Sequence, residues 1–479
     1  MHYSENRANH QFVPWRQYTE VDGQMSNFPK STLLDGDSLR GNNGPDEELF
    51  RGVGDRLIDP LSNFFGDGLV PSPELNEVYE LRLAKLEASR LSRNELVDRG
   101  AYFIGVDGKP TNHFSICTGG GVSLPMAAGS RLQSFIGTHR LKTSYATHGL
   151  FPYRGKFHPQ MIKAILNIIG AKPGDVVLDP MAGSGTTAIE ANIMGIDSVA
   201  VDLSPFCEYM MQAKIAGLSE DVGGLSDLSN NTEETKKLYQ TLTEENGYLS
   251  LHEVPVCSQM SSACRSLIVL AFMDARGYAL RSKRKSEFGL FREVLAKYAK
   301  TIDGFQQTWR ELGQKLGESS ILKADARQLP IDSESIDGVV FSPPYSFAVD
   351  YVQNDRPHLE YLGCDTAALR NDLVGLRGSG PRERASLYFD DMNTIIGEIA
   401  RVLKKSGYGA IVVGSNSNQL AKALGIPQDS PKARYGIESR VISFAENHGL
   451  SLQLAIRRLI VGMANTMREE HIIFLRKVP

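Results

Sequence analysis

Ser342-Pro343-Pro344-Tyr345 closes the apolar run Ile336-Asp337-Gly338-Val339-Val340-Phe341. Prolines donate no backbone hydrogen bond and fix their own φ, so a strand ending on two of them passes into a stiff turn. Such a turn can hold two acceptors in place, the hydroxyl oxygen of Ser342 and the carbonyl of Pro343. An exocyclic amine on a nucleobase is a poor nucleophile because its lone pair is delocalised into the ring. Hydrogen bonds from its two protons to fixed acceptors draw the nitrogen toward tetrahedral geometry and aim that lone pair. Tyr345 offers a flat face on which a base rotated out of a duplex can stack. No side chain need act as nucleophile, since alignment of the reacting atoms supplies much of the rate. For a lone tetrapeptide, a rigid turn without chemistry is the competing reading, and the sequence upstream decides between them.

Asp179-Pro180-Met181-Ala182-Gly183-Ser184-Gly185-Thr186-Thr187 follows a second apolar run, Val176-Val177-Leu178. A glycine loop between a strand and a helix lets a ligand approach the backbone closely and faces it with the free N–H groups of the helix start. Gly183-x-Gly185-x-x-Ala188 also satisfies the relaxed dinucleotide fingerprint, which keeps a nicotinamide-dependent oxidoreductase in view. Asp202, placed after the next apolar strand Val199-Ala200-Val201, can accept from ribose hydroxyls of either a dinucleotide or S-adenosylmethionine. The carboxylate of Asp179 at the mouth of the loop favours the second, which carries a positively charged amino acid rather than a pyrophosphate. The lysine and spacing of a phosphate-binding P-loop are missing.

Elements must position these two motifs. From Phe157 the chain reads helix, strand, glycine turn, helix, strand, helix, a βαβ unit with parallel strands. The next parallel-type strand is expected at Gly338–Phe341, which makes residues 217–318 a mainly helical insertion. Inside it Arg281, Lys283, Arg284 and Lys285 precede Phe288, Phe291, Arg292, Lys297 and Lys300. This pattern suits either a phosphate-tracking face or a solvated helix face. A helix is expected over Phe389–Leu403, a strand over Ala410–Val413, and closing strands over Leu452–Val461 and His471–Phe474. Upstream, the apolar spacing of Leu75, Val78, Leu81, Leu83 and Leu86 predicts one amphipathic helix from Pro73 to about Arg99.

Composition narrows the class. The 479 residues are 41% hydrophobic and 23% charged, a globular balance with room for several folding units. The net charge of -4 means that a nucleic-acid partner would have to meet a local basic surface. Five cysteines without CxxC spacing read as reduced thiols, so neither a disulfide framework nor a metal site is expected. No apolar stretch reaches the length of a signal core or a membrane span, and a cytoplasmic protein is expected.

Together these residues resemble the S-adenosylmethionine-dependent DNA amino-methyltransferases that modify cytosine N4 or adenine N6. Asp179–Thr186 is similar to the family's cofactor loop, with Met181 where phenylalanine is usual, and Ser342–Tyr345 to its catalytic motif. Tyr153-Arg154-Gly155-Lys156-Phe157-His158-Pro159 is similar to the segment that covers the cofactor. The resemblance implies that Phe157, His158 and Pro159 help hold the cofactor and that Asp325 contacts its adenine amino group. A serine at the first motif position favours cytosine N4 over adenine N6 or an RNA guanine-N2 target. The implied architecture is α/β. It has a Rossmann-like, mostly parallel seven-stranded methyltransferase sheet over 150–216 and 319–479, an N-terminal accessory region over 1–149 and the helical insertion. DNA with a flipped base is expected as substrate ahead of RNA, with a cognate restriction endonuclease as companion. Asp350, Tyr351, Arg284 and Lys285 are candidate substrate contacts. Of these, Asp350 and Tyr351, with Arg356, His358 and Tyr361, suit either a base pocket or a packed helix. Replacing Tyr345 by alanine should leave cofactor binding nearly intact while removing most of the turnover, because stacking of a base is worth roughly 1–3 kcal/mol to the substrate alone, a loss of up to about a hundredfold. Titration calorimetry with a turnover assay separates the two effects, and intact turnover removes Tyr345 from the mechanism.

Overall fold

Local sequence accounts for the first elements of the computed structural model. It describes residues 64–72, 75, 77–120, 144–281, 286–344, 350–414, 417–427, 430–431, 436–459 and 469–479, all within the unit Gly54–Pro479. A three-stranded antiparallel sheet comprises β1 (Leu69–Pro71), β2 (Phe103–Val106) and β3 (Lys109–Pro110). Asp107 and Gly108, at φ 49° and 78°, form the two-residue turn between the last two, as an Asp-Gly hairpin requires.

The single helix expected up to Arg99 is two, α1 (Val78–Arg90) and α2 (Arg93–Arg99). Ser92 caps the second by accepting from the Glu95 amide, and Glu95 reaches back to the Ser92 amide. This Ser-x-x-Glu box starts a new helix inside an uninterrupted apolar pattern. Next come α3 (Asn112–Thr118) and α4 (Pro159–Ile169), whose eleven residues are all buried. Glu87 of α1 is buried where these helices meet. It accepts from the Ala101 and Tyr102 amides at 2.9 and 3.2 Å and from Asn167 Nδ2 of α4 at 2.7 Å.

The principal sheet begins with β4 (Val176–Asp179), α5 (Thr186–Ile193), β5 (Asp197–Asp202) and α6 (Pro205–Ser219). The insertion supplies α7 (Gly223–Asn230), α8 (Thr232–Thr243), α9 (Ser262–Arg281) and α10 (Glu287–Leu312), with a single turn at Pro255–Ser258. Then follow β6 (Ser319–Lys323), β7 (Ile336–Phe341), α11 (Tyr351–Tyr361), α12 (Thr366–Asp372) and α13 (Pro381–Val402). The remainder is β8 (Leu403–Gly414), α14 (Ser417–Leu424), α15 (Gly436–Asn447), β9 (Leu450–Leu459) and β10 (Glu469–Lys477). The seven strands lie in the order β6-β5-β4-β7-β8-β10-β9, parallel except for β10, which runs antiparallel between β8 and β9. This is the Rossmann-like, mostly parallel seven-stranded α/β sheet expected from the sequence.

The strand that follows β5 in the chain is β6, ahead of the expected β7. Its sequence Ser-Ser-Ile-Leu-Lys holds two apolar residues and sits half-exposed at the sheet edge, so it leaves no apolar run to read. Strand order reverses between β4 and β7, and open α/β sheets bind ligands at the carboxyl ends of the strands flanking such a point. Among the described residues no helix is long and apolar enough to cross a membrane.

The insertion shares a core with the sheet domain. Leu267, Phe272, Phe291, Leu295 and Tyr298 pack with Phe206 and Met210 of α6 and with Val352 and Leu359 of α11. The His358 ring of α11 stacks on Phe206 at 4.8 Å and 22°, and Tyr361 Oη donates to the Leu242 carbonyl at 3.0 Å. Gly277 of α9 makes this approach possible, because a Cβ there would stand 2.9 Å from His358 Cε1. By contrast Gly304 of α10 has open space around it. Gly277→Val should therefore cost about 1–3 kcal/mol by overpacking. Gly304→Ala should stabilise by about 1 kcal/mol through helix propensity. Urea unfolding of both variants measures the contrast, and equal midpoints would refute it.

Candidate active site

The glycine loop leaves β4 through a turn in which Asp179 Oδ1 accepts from the Met181 amide at 3.1 Å. Burial pushes the Asp179 carboxyl up to about 7. The Ala182 amide donates to the Val201 carbonyl at 2.9 Å, and the Gly183 and Ser204 amides donate to the two carboxylate oxygens of Asp202 at 2.8 and 2.9 Å. Asp202 thus splints the loop to the end of β5. Gly185 is left-handed at φ 77°, and a Cβ on it would lie 2.9 Å from Met211 Cγ, so the position demands glycine twice over. From the far side of α5, buried Glu190 receives the Tyr145 hydroxyl and faces His148 Nε2 at 2.6 Å.

On the neighbouring strand β7 ends at Phe341, and Ser342 and Pro343 follow. Ser342 Oγ lies 3.5 Å from the Pro343 carbonyl oxygen, so both acceptors reach the same small region. Beyond β6, Asp325 accepts three bonds from the Arg327 guanidinium and one from its amide. Although burial opposes it, these bonds hold the Asp325 carboxyl below its usual range. Arg327 is itself fixed by Asp391 and the Asp372 carbonyl.

One cleft joins these features. It is lined by Phe157, Pro180, Met181, Ala182, Gly183, Ser184, Thr186, Asp202, Asp325, Ser342, Pro343, Pro344 and Tyr351, all expected from the sequence. His158, Pro159, Asp179, Gly185 and Asp350 are not among the lining residues. His158 precedes α4, where burial pushes its imidazole down to about 4, and Pro159 opens that helix. Asp350 caps α11 through the Gln353 amide at 3.0 Å and pairs with Arg370. The expectations for Tyr345, Arg284 and Lys285 lie outside the described residues.

Along α11, His358 and Leu359 are buried in the packing role that the sequence left open, and exposed Arg356 pairs with Glu360 at 2.6 Å. The aromatic residues of the basic stretch also turn inward. Phe291 is buried against Phe272, and Phe288 packs on Tyr239. Lys297 Nζ donates to the Gly149 carbonyl.

Tyr153 and Lys156, in the segment expected to cover the cofactor, also line the cleft, whereas Asp355, Val352 and Leu359 on α11 and Leu373, Val374 and Leu376 beyond α12 went unread as lining residues. The spacing 351, 352, 355 and 359 was available as one helical face. Nothing in the sequence showed which way that face turned.

The cleft carries Asp202, Asp325, Asp355 and Asp372 against Lys156, whose ammonium is engaged by the His148 carbonyl at 2.8 Å. Such an acidic lining suits a ligand bearing sulfonium and ammonium charges and opposes a pyrophosphate. Hydroxyl-accepting carboxylates and a bare glycine backbone suit the nucleoside and amino-acid ends of S-adenosylmethionine. Cys207 also lines the cleft, and burial raises its thiol far above the usual range. The thiolate that an attack on a ring carbon would need is absent at neutral pH.

A family model, RMKL-like methyltransferase domain, matches residues 150–243. A type II methyltransferase of Methanocaldococcus jannaschii, M.MjaII, is 37% identical over 94 residues, 19% of this chain and 17% of its own length. Another of Geobacillus stearothermophilus, M.BsoBI, is 24% identical over 284 residues, 49% of this chain and 56% of its own. A tRNA (guanine(10)-N2)-dimethyltransferase of Methanothermobacter thermautotrophicus is 40% identical over 53 residues, 11% of this chain and 16% of its own. The chain spans about half or less of the length of each of these relatives. Residues 150–243, which the family model matches, hold the glycine loop and Asp202.

Proposed function

We propose that the chain transfers a methyl group from S-adenosylmethionine to the exocyclic amino group of a base in DNA, with cytosine N4 as the target. The observation that carries this reading is the meeting of Ser342-Pro343 and the glycine loop in one acidic cleft, at the carboxyl ends of adjacent strands. Bound there, the cofactor supplies an electrophilic methyl carbon on sulfur. Gly183, Ser184 and Thr186 admit its amino-acid end against the backbone, Asp202 accepts from the ribose, and Asp325, held rigid by Arg327, accepts from the adenine amino group.

Ser342 Oγ and the Pro343 carbonyl take the two protons of the target amine and turn its lone pair out of the ring plane. Tyr345 stacks on the extruded base. The buried Cys207 thiol stays protonated, which favours direct attack by the amine over a covalent enzyme intermediate. Type II methyltransferases among the relatives favour DNA as substrate, and a type II setting would pair the chain with a restriction endonuclease. A structured RNA with a guanine-N2 target is the second reading, supported by the likeness to the tRNA enzyme over 53 residues.

Full-length protein given labelled S-adenosylmethionine and duplex DNA should yield 4-methylcytosine among the digested nucleosides. Label confined to RNA transfers the assignment to the second reading. Ser342→Ala should lower kcat by about 10²-fold, as loss of one preorganised hydrogen-bonding group does, with cofactor affinity retained. An unchanged kcat would leave the serine without a catalytic role.

A further inference from the structure

We infer that Asp355 is a second cofactor-binding carboxylate, set by α11 opposite Asp202 to take a ribose hydroxyl. The inference rests on the proposed use of the cleft for S-adenosylmethionine. Its basis is placement. Tyr351, Val352, Asp355 and Leu359 form the face of α11 that lines the cleft, while Arg356 and Glu360 form an ion pair on the exposed face. The helix cannot easily rotate that face away. Its start is tied by Asp350 to Arg370, and its last turns by the His358–Phe206 stack and the Tyr361–Leu242 bond.

Three groups from three other elements neighbour the Asp355 carboxyl. Asp202 reaches it from the end of β5 and the Tyr153 hydroxyl from the covering segment, and Cys207 faces it from α6. Tyr153 Oη and Cys207 Sγ are 3.4 Å apart. Burial keeps both of these protonated well above neutral pH, so the groups that lose a proton first are carboxyls: that of Asp355, that of Asp202, which burial also raises, and that of Asp179 at the start of the glycine loop, pushed up to about 7. Elsewhere in the cleft Asp325 is held ionised by Arg327, and Lys156 is bonded to the His148 carbonyl.

Asp202 already spends one acceptor site per oxygen on the Gly183 and Ser204 amides. A ribose diol presents two donors, and a second carboxylate across the cleft supplies the additional acceptor. Without a ligand, burial and then the facing Asp202 charge push the Asp355 carboxyl up to about 7. Hydroxyl donors between the two carboxylates favour the ionised form of each. The sign follows: Asp355 holds a proton before binding and loses it on binding. Cofactor affinity therefore rises with pH up to about 7 and then levels.

The test is titration calorimetry of the full chain with S-adenosylmethionine and with S-adenosylhomocysteine, which has the same ribose and no sulfonium charge. Each is measured near about pH 6 and about pH 8, in two buffers of different ionisation enthalpy, for wild type and Asp355→Asn; a group titrating near 7 makes wild-type affinity, relative to the variant, rise about tenfold between them. Taking the ratio to the variant cancels titration of the ligand itself. Both ligands should show the rise, and wild type should release close to one proton per ligand at the lower pH. The inference fails if the ratio is the same at both pH values, or if wild type releases no proton. It also fails if S-adenosylmethionine alone shows the effect, because Asp355 would then answer the sulfonium charge. If wild type binds neither ligand, the proposed use of the cleft falls first.

Discussion

Two residue pairs hold the site together. Val177 pairs with Gly338 and Leu178 with Val339, the parallel contact between β4 and β7. Because β5 and β6 extend the sheet on one side and β8 on the other, this contact lies at the reversal of strand order. Whatever follows β4 must there face whatever follows β7. The glycine loop follows the first and Ser342-Pro343-Pro344 the second. Gly338 serves the pairing in a second way, since a Cβ on it would stand 3.0 Å from Ile169 Cδ1 of the buried helix α4.

Around that contact the chain spends its buried polar groups on holding loops still. Asp202 splints the glycine loop, Arg327 fixes Asp325, Glu190 anchors the back of α5, and Glu87 joins the N-terminal helices to α4. The Asp202, Glu190 and Glu87 bonds join segments separated in sequence, and a missing partner would leave a buried donor or acceptor unsatisfied, at a cost of about 1–3 kcal/mol. The consequence is a preorganised cleft, whose acceptors are in position before a substrate arrives.

Much of this was legible in the sequence because both motifs combine a rare local composition with a fixed place on a strand. Gly183 and Gly185 take conformations that other residues resist, and two prolines end a strand in few ways. What stayed hidden depended on tertiary direction. The β6 strand carries only Ile321 and Leu322 as apolar residues, since an edge position asks for little burial. Ser92 and Glu95 divided a helix whose apolar spacing ran on without a break. Asp355 is an unremarkable acid in a polar stretch until Phe206 and Gly277 seat His358 and turn the helix toward the cleft. The aromatic residues among the basic run, read from sequence as able to track phosphates, went to the insertion's own core because Phe272 and Tyr239 offered them apolar partners.

The central claim is that adjacent strand ends bring an amine-holding turn to a cofactor loop for the methylation of DNA. Sequencing of modified bases in DNA from cells expressing the chain, beside cells expressing Ser342→Ala, tests it most directly. The account predicts N4-methylcytosine at one recurring DNA sequence, greatly reduced with the variant. Unmodified DNA in cells holding folded protein, or the same modification level with the variant, would contradict it.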